Sequence, residues 1–233
     1  MCIDARRCHK IEDHVTYREA ALGEPLAVAV RAVTERTTVH AGDLVVVSGP
    51  GCIGLLTMQM AKLEGARVVL AGLAKDAPRL ECGRKLGADY VVNVDEQPLA
   101  DAVREWSGGR GADLVYECAG SSGSLDGCWD AVRKGGTLAS MGVHRGQVHT
   151  DFNKAMMKEL QVIGCYGYVW TSWERTVRLL AEKKVNIEAL ISHELPLERF
   201  EDAFRWTQDG SAIKVIFNPG LEAGGSDSRT TTA

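Results

Sequence analysis

The residues best placed to do chemistry form one short run, Gly49-Pro50-Gly51-Cys52-Ile53-Gly54, with the spacing G-x-G-x-x-G. Alone the pattern is a weak signal. Here it directly follows the β-branched stretch Leu44-Val45-Val46-Val47 and opens a helical pattern, which is the strand–turn–helix context the motif requires. Gly49 allows the tight turn, Gly51 leaves room for the backbone to approach a pyrophosphate, and Gly54 lets the helix pack closely on the strand. Cys52 and Ile53 start the helix, whose free N–H groups and partial positive charge suit phosphate. The competing explanation is a turn that is merely glycine-rich, and the strand–helix context argues against it.

The end of the following strand should report which dinucleotide is bound. An acidic side chain there accepts from the ribose 2′-OH of NAD and excludes a 2′-phosphate. The strand ends Val68-Val69-Leu70-Ala71-Gly72, without an acid. Lys75 and Arg79 follow and suit a 2′-phosphate, whereas Asp76 suits the ribose of NAD, so NAD and NADP both stay open. The three charges also read as an ordinary solvated helix start. Cys8-His9 is a candidate metal pair, and its spacing supports a solvated terminus better than a metal site.

These residues need a scaffold, and the pattern from Asp43 onward supplies one. Apolar runs at Leu44–Ser48, Arg67–Ala71, Tyr90–Val94, Asp113–Cys118, Thr137–Val143 and Leu160–Cys165 alternate with helical stretches, with glycine at most junctions. This predicts a six-stranded parallel sheet with crossover helices, covered on both faces. The helices are expected over Cys52–Glu64, with Ile53, Leu56, Met60 and Leu63 on one buried face, and over Ala77–Leu86, Leu99–Trp106 and Leu125–Arg133. Upstream, Tyr17–Val33 reads as one helix with Pro25 awkwardly inside it, unless a bend or a second helix start intervenes. Downstream come a helix over Trp173–Lys183, a strand at Ile191–Leu195, a helix over Leu197–Trp206 and a strand at Lys214–Asn218. The tail from Gly220 to Ala233 is polar and is expected to be disordered.

Composition limits the partners. With 233 residues, 45% hydrophobic and a net charge of −4, the chain can bury a core and carries no polybasic surface, so nucleic acid is not expected. No apolar run approaches the length of a membrane span, and the start Met1-Cys2-Ile3-Asp4-Ala5-Arg6-Arg7 has no apolar signal core. Seven scattered cysteines, an odd number, fit free thiols in a reducing compartment, and a cytoplasmic location is expected.

Several further runs occur in one order: Gly23-Glu24-Pro25-Leu26, Ala41-Gly42-Asp43, the glycine loop, Leu86-Gly87-Ala88-Asp89, Gly108-Gly109-Arg110-Gly111-Ala112-Asp113 and Glu117-Cys118-Ala119-Gly120. That order resembles the zinc-containing medium-chain alcohol dehydrogenases, nearest the sorbitol and threonine dehydrogenase branch, over about Lys10 to Pro219. The resemblance implies an α/β fold with a Rossmann, doubly wound sheet over residues 35–190. It also implies remnants of an incomplete catalytic domain at residues 1–34 and 191–219. Cys118, Ala119 and Gly120 would close the fourth strand beside the cofactor, and Gly142 and Val143 would lie near the nicotinamide. Read alone, Cys118 fits a packing thiol and Gly142 a turn residue.

Glu24 resembles the carboxylate at or near the catalytic zinc of the polyol dehydrogenases. One carboxylate cannot make a site that needs three protein ligands and an open position. The family's other ligands, a Cys, a Gly-His-Glu segment and four close cysteines for a structural zinc, have no counterpart, since His9 is followed by Lys10 and no two cysteines stand closer than Cys2 and Cys8. The chain therefore reads as the coenzyme half of a dehydrogenase moving hydride between a secondary alcohol or polyol and NAD(P), inactive alone, from a truncated gene or with a misassigned start. The alternative is a non-catalytic dinucleotide-binding module, or a subunit that complements another chain. Phe200, Phe204, Trp206, Val215, Ile216 and Phe217 would then lack part of their cover, implying marginal solubility or a docked partner. The apolar edge Val162-Ile163-Gly164-Cys165-Tyr166 predicts a homodimer.

Overall fold

The computed structural model describes residues 2–221. The chain begins with α1 (Tyr17–Ala20) and α2 (Gly23–Arg31), then alternates through β1 (Leu44–Ser48), α3 (Cys52–Leu63), β2 (Arg67–Gly72), α4 (Ala77–Lys85), β3 (Tyr90–Asn93), α5 (Leu99–Ser107), β4 (Ala112–Glu117), α6 (Ser122–Ala131), β5 (Val132–Ser140), α7 (Asn153–Met157) and β6 (Gln161–Gly164). It ends with α8 (Trp170–Ala181), β7 (Ile191–Leu195), α9 (Phe200–Asp209) and β8 (Lys214–Phe217).

Strands β1 to β6 form one parallel sheet in the order β3-β2-β1-β4-β5-β6, the expected doubly wound α/β architecture. The strand order reverses between β1 and β4, which opens a crevice beyond their carboxyl ends. All of β1 is buried, and its side chains alternate between two core layers. Val45 and Val47 join the layer containing residues of α2 and α3, while Leu44 and Val46 join the layer of α5 and α6. The near-continuous apolar runs follow from this two-sided burial.

Several elements differ from the sequence expectation. The single helix over Tyr17–Val33 is two helices, broken at Ala21-Leu22. Thr16 and Glu19 form a capping box on α1, and the break puts Pro25 in the first turn of α2, where its missing N–H has no intrahelical partner to lose. Beyond α2 the chain widens into a π turn over Ala32–Arg36, closed by the Thr37 N–H on the Ala32 carbonyl. Helix α3 has no single buried stripe. It is enclosed from Gly54 to Ala61 between the sheet and α2, while Leu63 is exposed.

The fourth crossover helix starts earlier, at Ser122, because Ser121 caps it through the Ser124 N–H. Strand β5 starts at Val132 and ends at Ser140, so Gly142 and Val143 lie beyond it rather than at its tip. The cause is a tertiary contact: the Met141 and Gly142 N–H groups both turn onto the Glu117 carbonyl, at 2.8 and 2.9 Å. The short α7 carried no sequence signal, its five residues being too few to show a periodicity.

Strands β7 and β8 form a separate parallel pair connected through α9. Arg18 of α1 ties the chain start to this unit through Glu188, at 2.6 Å, and Glu194. Ile216 is buried and Trp206 stacks on His193, whereas Phe200, Phe204 and Phe217 are exposed. The expected disorder of the tail falls mostly on residues 222–233, outside the described residues. Among the described residues no helix is long and apolar enough to cross a membrane.

Candidate dinucleotide site

The glycine loop joins β1 to α3 at the switch point. Gly49 has φ +108°, and its N–H donates to the Ala71 carbonyl of β2. A Cβ at Gly49 would stand 2.7 Å from the Ala119 nitrogen, so this residue must be glycine both for its dihedral and for the approach of the β4 end. A Cβ at Gly54 would stand 1.9 Å from the Gly49 carbonyl oxygen. Gly51 differs, since its φ is −74° and a Cβ there would meet nothing within 4 Å. Nothing inside the fold requires glycine there.

Gly51 is the N-cap of α3 and offers no side-chain cap, so the first N–H groups of this twelve-residue helix are left to an external acceptor. The open space at Gly51 and the uncapped N–H groups of α3 fit a pyrophosphate. Ile53 is half-buried beside Cys52, whose thiol is pushed up to about 11, chiefly by burial. Cys52 is thus a neutral packing group.

At the end of β2, a Cβ on Gly72 would meet the Pro50 ring at 2.8 Å, so Gly72 serves the contact between β2 and the loop. Asp76 turns back to accept from the Leu73 N–H at 3.1 Å. Arg79 donates to the Ala212 carbonyl at 2.7 Å and lies 3.4 Å from Asp76, which directs its guanidinium toward the segment before β8. Lys75 is exposed and makes no hydrogen bond or ion pair among the described residues.

On the other side of β1, the structure brings the remaining predicted residues together. Gly120 has φ +66°, and its Cβ would lie 2.6 Å from the Val143 carbonyl oxygen; a Cβ on Gly142 would lie 2.2 Å from the Gly120 nitrogen. Ala119 is exposed against Gly49, and the Val143 side chain is exposed. Gly49, Ala119, Gly120, Gly142 and Val143 therefore form one continuous rim. Cys118 turns away from it, with its sulfur 3.8 Å from that of Met141, and burial holds its thiol well above the ordinary range.

Sequence reasoning gave no role to Glu117, which is fully buried. Its Oε1 accepts from the Ala119 and Gly120 N–H groups at 3.0 and 2.9 Å and from the Ser124 hydroxyl at 2.7 Å, and Ser124 in turn contacts Ser48 at 2.9 Å. The available signal was an acid at the end of an otherwise apolar strand. Glu24 stands exposed in the first turn of α2, near enough to Cys52 to disfavour its thiolate slightly. His9 packs tilted against Trp170, with ring centroids 3.9 Å apart, and Cys8 is exposed. Among the described residues no three His, Cys, Asp or Glu side chains could together hold a metal ion. The three protein donors of a catalytic zinc are not assembled here, and zinc does not fit the described residues.

A doubly wound parallel sheet with an uncapped glycine turn at its switch point defines a dinucleotide-binding domain. The chain belongs to the zinc-binding dehydrogenase family, whose profile matches residues 52–182. It is 37% identical to the sorbitol dehydrogenase of Halalkalibacterium halodurans, over 91% of this chain and 62% of that protein. It is 34% identical to the D-arabitol-phosphate dehydrogenase of Enterococcus avium, over 92% of this chain and 61% of that one. Among solved structures, a putative zinc-binding dehydrogenase from Sinorhizobium meliloti, bound to NADP, superposes with a TM-score of 0.78 at 26% identity, covering 91% of this chain and 62% of that chain. The chain thus spans about three fifths of the length of these relatives.

Proposed function

We propose that this chain is the coenzyme-binding part of an alcohol or polyol dehydrogenase, taking up NAD(P) for hydride transfer to or from a secondary alcohol. The observation that carries the reading is the crevice: an uncapped helix N-terminus, space at Gly51, and a rim of backbone at Gly49, Ala119, Gly120, Gly142 and Val143. The α3 N–H groups would take the pyrophosphate, the end of β2 the adenosine ribose, and the rim after β4 and β5 the nicotinamide half. The nicotinamide, when bound, supplies the hydride chemistry, and this chain's residues bind and orient it. Because the described residues assemble no zinc site, the chain alone is expected to bind dinucleotide without oxidising a polyol.

The end of β2 favours NADP. No carboxylate there is free for a 2′-OH, since Asp76 caps its own turn, whereas Lys75 is exposed and unpaired among the described residues. Titration of the chain and of Lys75→Ala with NADPH and NADH tests this. NADPH should bind more tightly, and the substitution should weaken NADPH roughly tenfold while sparing NADH. Equal weakening of both would remove the 2′-phosphate role.

The proposed assembly is a homodimer formed through the exposed edge of β6. A second reading, a binding module completed by another chain, is favoured by the exposed Phe200, Phe204 and Phe217 around α9 and β8.

A further inference from the structure

Glu117 presents an imbalance. Its side chain is fully buried, and Oε1 takes three hydrogen bonds, yet Oε2 has no partner within bonding distance among the described residues. A buried carboxylate oxygen left unpaired is costly, and such groups are rare without a reason. Oε2 faces the loop after β5, where a Cβ on Gly142 would come within 2.7 Å of it. The Nε2 of His144 stands 3.6 Å away, just outside hydrogen-bond range, and the His144 side chain is 16% exposed.

The loop itself supplies the second observation. Its root is fixed, because the Met141 and Gly142 N–H groups donate to the Glu117 carbonyl. Its far end is fixed at Thr150, which accepts from the Trp129 indole at 2.8 Å and donates to Asp126. Between Val143 and His149, the approach of His144 to Glu117 is the one polar tie among the described residues. The same carboxylate holds the Ala119 and Gly120 N–H groups of the opposite loop. One residue therefore touches both loops of the rim: the Glu117 carboxylate holds the loop after β4, and its backbone carbonyl holds the root of the loop after β5.

We propose that Glu117 and His144 form a positioning pair, in which the imidazole closes onto the free carboxylate oxygen and sets the separation of the two loops that receive the nicotinamide half of the dinucleotide. The inference rests on the coenzyme reading above. His144 need only move by a fraction of an ångström to make the bond, which would fasten the Val143 segment against the Gly120 turn it already touches. Neither residue reacts. Cys118 and Cys128 are held as neutral thiols, chiefly by burial and also by the Glu117 charge, but neither donates to Oε2 among the described residues, so that oxygen is left to His144.

The test compares ligands that share every part but the nicotinamide. The full chain and its His144→Ala, His144→Gln and Glu117→Gln variants are titrated with NADPH and with 2′-phospho-ADP-ribose, and their folding is checked by thermal melting. Loss of the pair should weaken NADPH about tenfold in His144→Ala and leave the truncated ligand within about twofold. His144→Gln, which can still donate to Oε2, should recover most of the affinity. Glu117→Gln combined with His144→Ala should cost no more than the larger single effect. Equal losses for both ligands, no loss for either, or failure of glutamine to rescue would overturn the pair. Should the unsubstituted chain bind neither of these ligands nor NADH, the coenzyme reading falls and this inference falls with it; should it bind NADH alone, the same comparison is made with NADH and ADP-ribose. Binding of the truncated ligand with NADPH unaffected by His144→Ala overturns the pair alone.

Discussion

At the residue scale, the three glycines of the loop do different work, and substitution should separate them. Gly51→Ala adds a methyl group where φ is −74° and no neighbour lies within 4 Å, so the fold should tolerate it and gain about 0.5 kcal/mol through the unfolded chain. The same methyl group would occupy the approach of the pyrophosphate, and dinucleotide binding should fall roughly tenfold or more. Gly54→Ala drives a Cβ to 1.9 Å from the Gly49 carbonyl oxygen and should cost about 2–3 kcal/mol of stability. Denaturant unfolding and ligand titration on both variants check the contrast; a parallel loss of stability in Gly51→Ala would contradict it. The glycine spacing was legible because it is local in sequence. The role of Glu117 was not, since no sequence pattern records that its carboxylate turns back onto the Ala119 and Gly120 N–H groups and the Ser124 hydroxyl, and His144 reaches it from a separate segment. The commitment of Arg79 to the Ala212 carbonyl was equally hidden, because it links residues far apart in the chain.

At the element scale, the six strands were legible as buried apolar runs, and their ends were not. Strand ends depend on where N–H groups find acceptors, and the turn of Met141 and Gly142 onto Glu117 is a tertiary event that no periodicity records. The break between α1 and α2 was foreshadowed by Pro25, whose ring excludes a helix interior. Asp113, at the start of β4, shows how charge fastens neighbouring elements. Burial by itself would raise its carboxyl, but Arg110 at 2.5 Å, Arg133 at 2.8 Å and the Leu44 N–H at 2.9 Å together hold it below the ordinary carboxylate value. A lowered folded-state pKa means that this stabilisation is complete above the unfolded value, near pH 4, and is lost as pH falls through the folded value. Asp113→Asn should therefore reduce stability at neutral pH and flatten the loss of stability on acidification. Urea unfolding from about pH 7 down to about pH 2.5 measures both; an unchanged acid limb would show that Asp113 is not one of its sources.

At the scale of the whole molecule, two surfaces ask for cover. The edge of β6 exposes Val162, with Tyr166 just beyond it, and an uncovered parallel edge invites pairing with a second copy. Sedimentation should show a dimer, and Val162→Lys should shift it toward monomer; a concentration-independent monomer before substitution would contradict the pairing. The second surface carries Phe200, Phe204 and Phe217. It belongs to the β7–β8 unit, in a chain that spans about three fifths of the relatives it matches. Doubly wound architecture was readable from the alternation of strand and helix, whereas a place for the β7–β8 pair outside the main sheet was expected only from the family resemblance, because a short apolar run does not by itself say which sheet it joins. Everything proposed for this chain depends on the crevice beyond β1 and β4 receiving a dinucleotide, and calorimetric titration of the purified chain with NADPH asks this without intermediaries. One site per chain is expected, with weaker binding of NADH and at least a tenfold loss of affinity in a fully folded Gly51→Ala variant. A folded chain that takes up neither dinucleotide would contradict the proposed function.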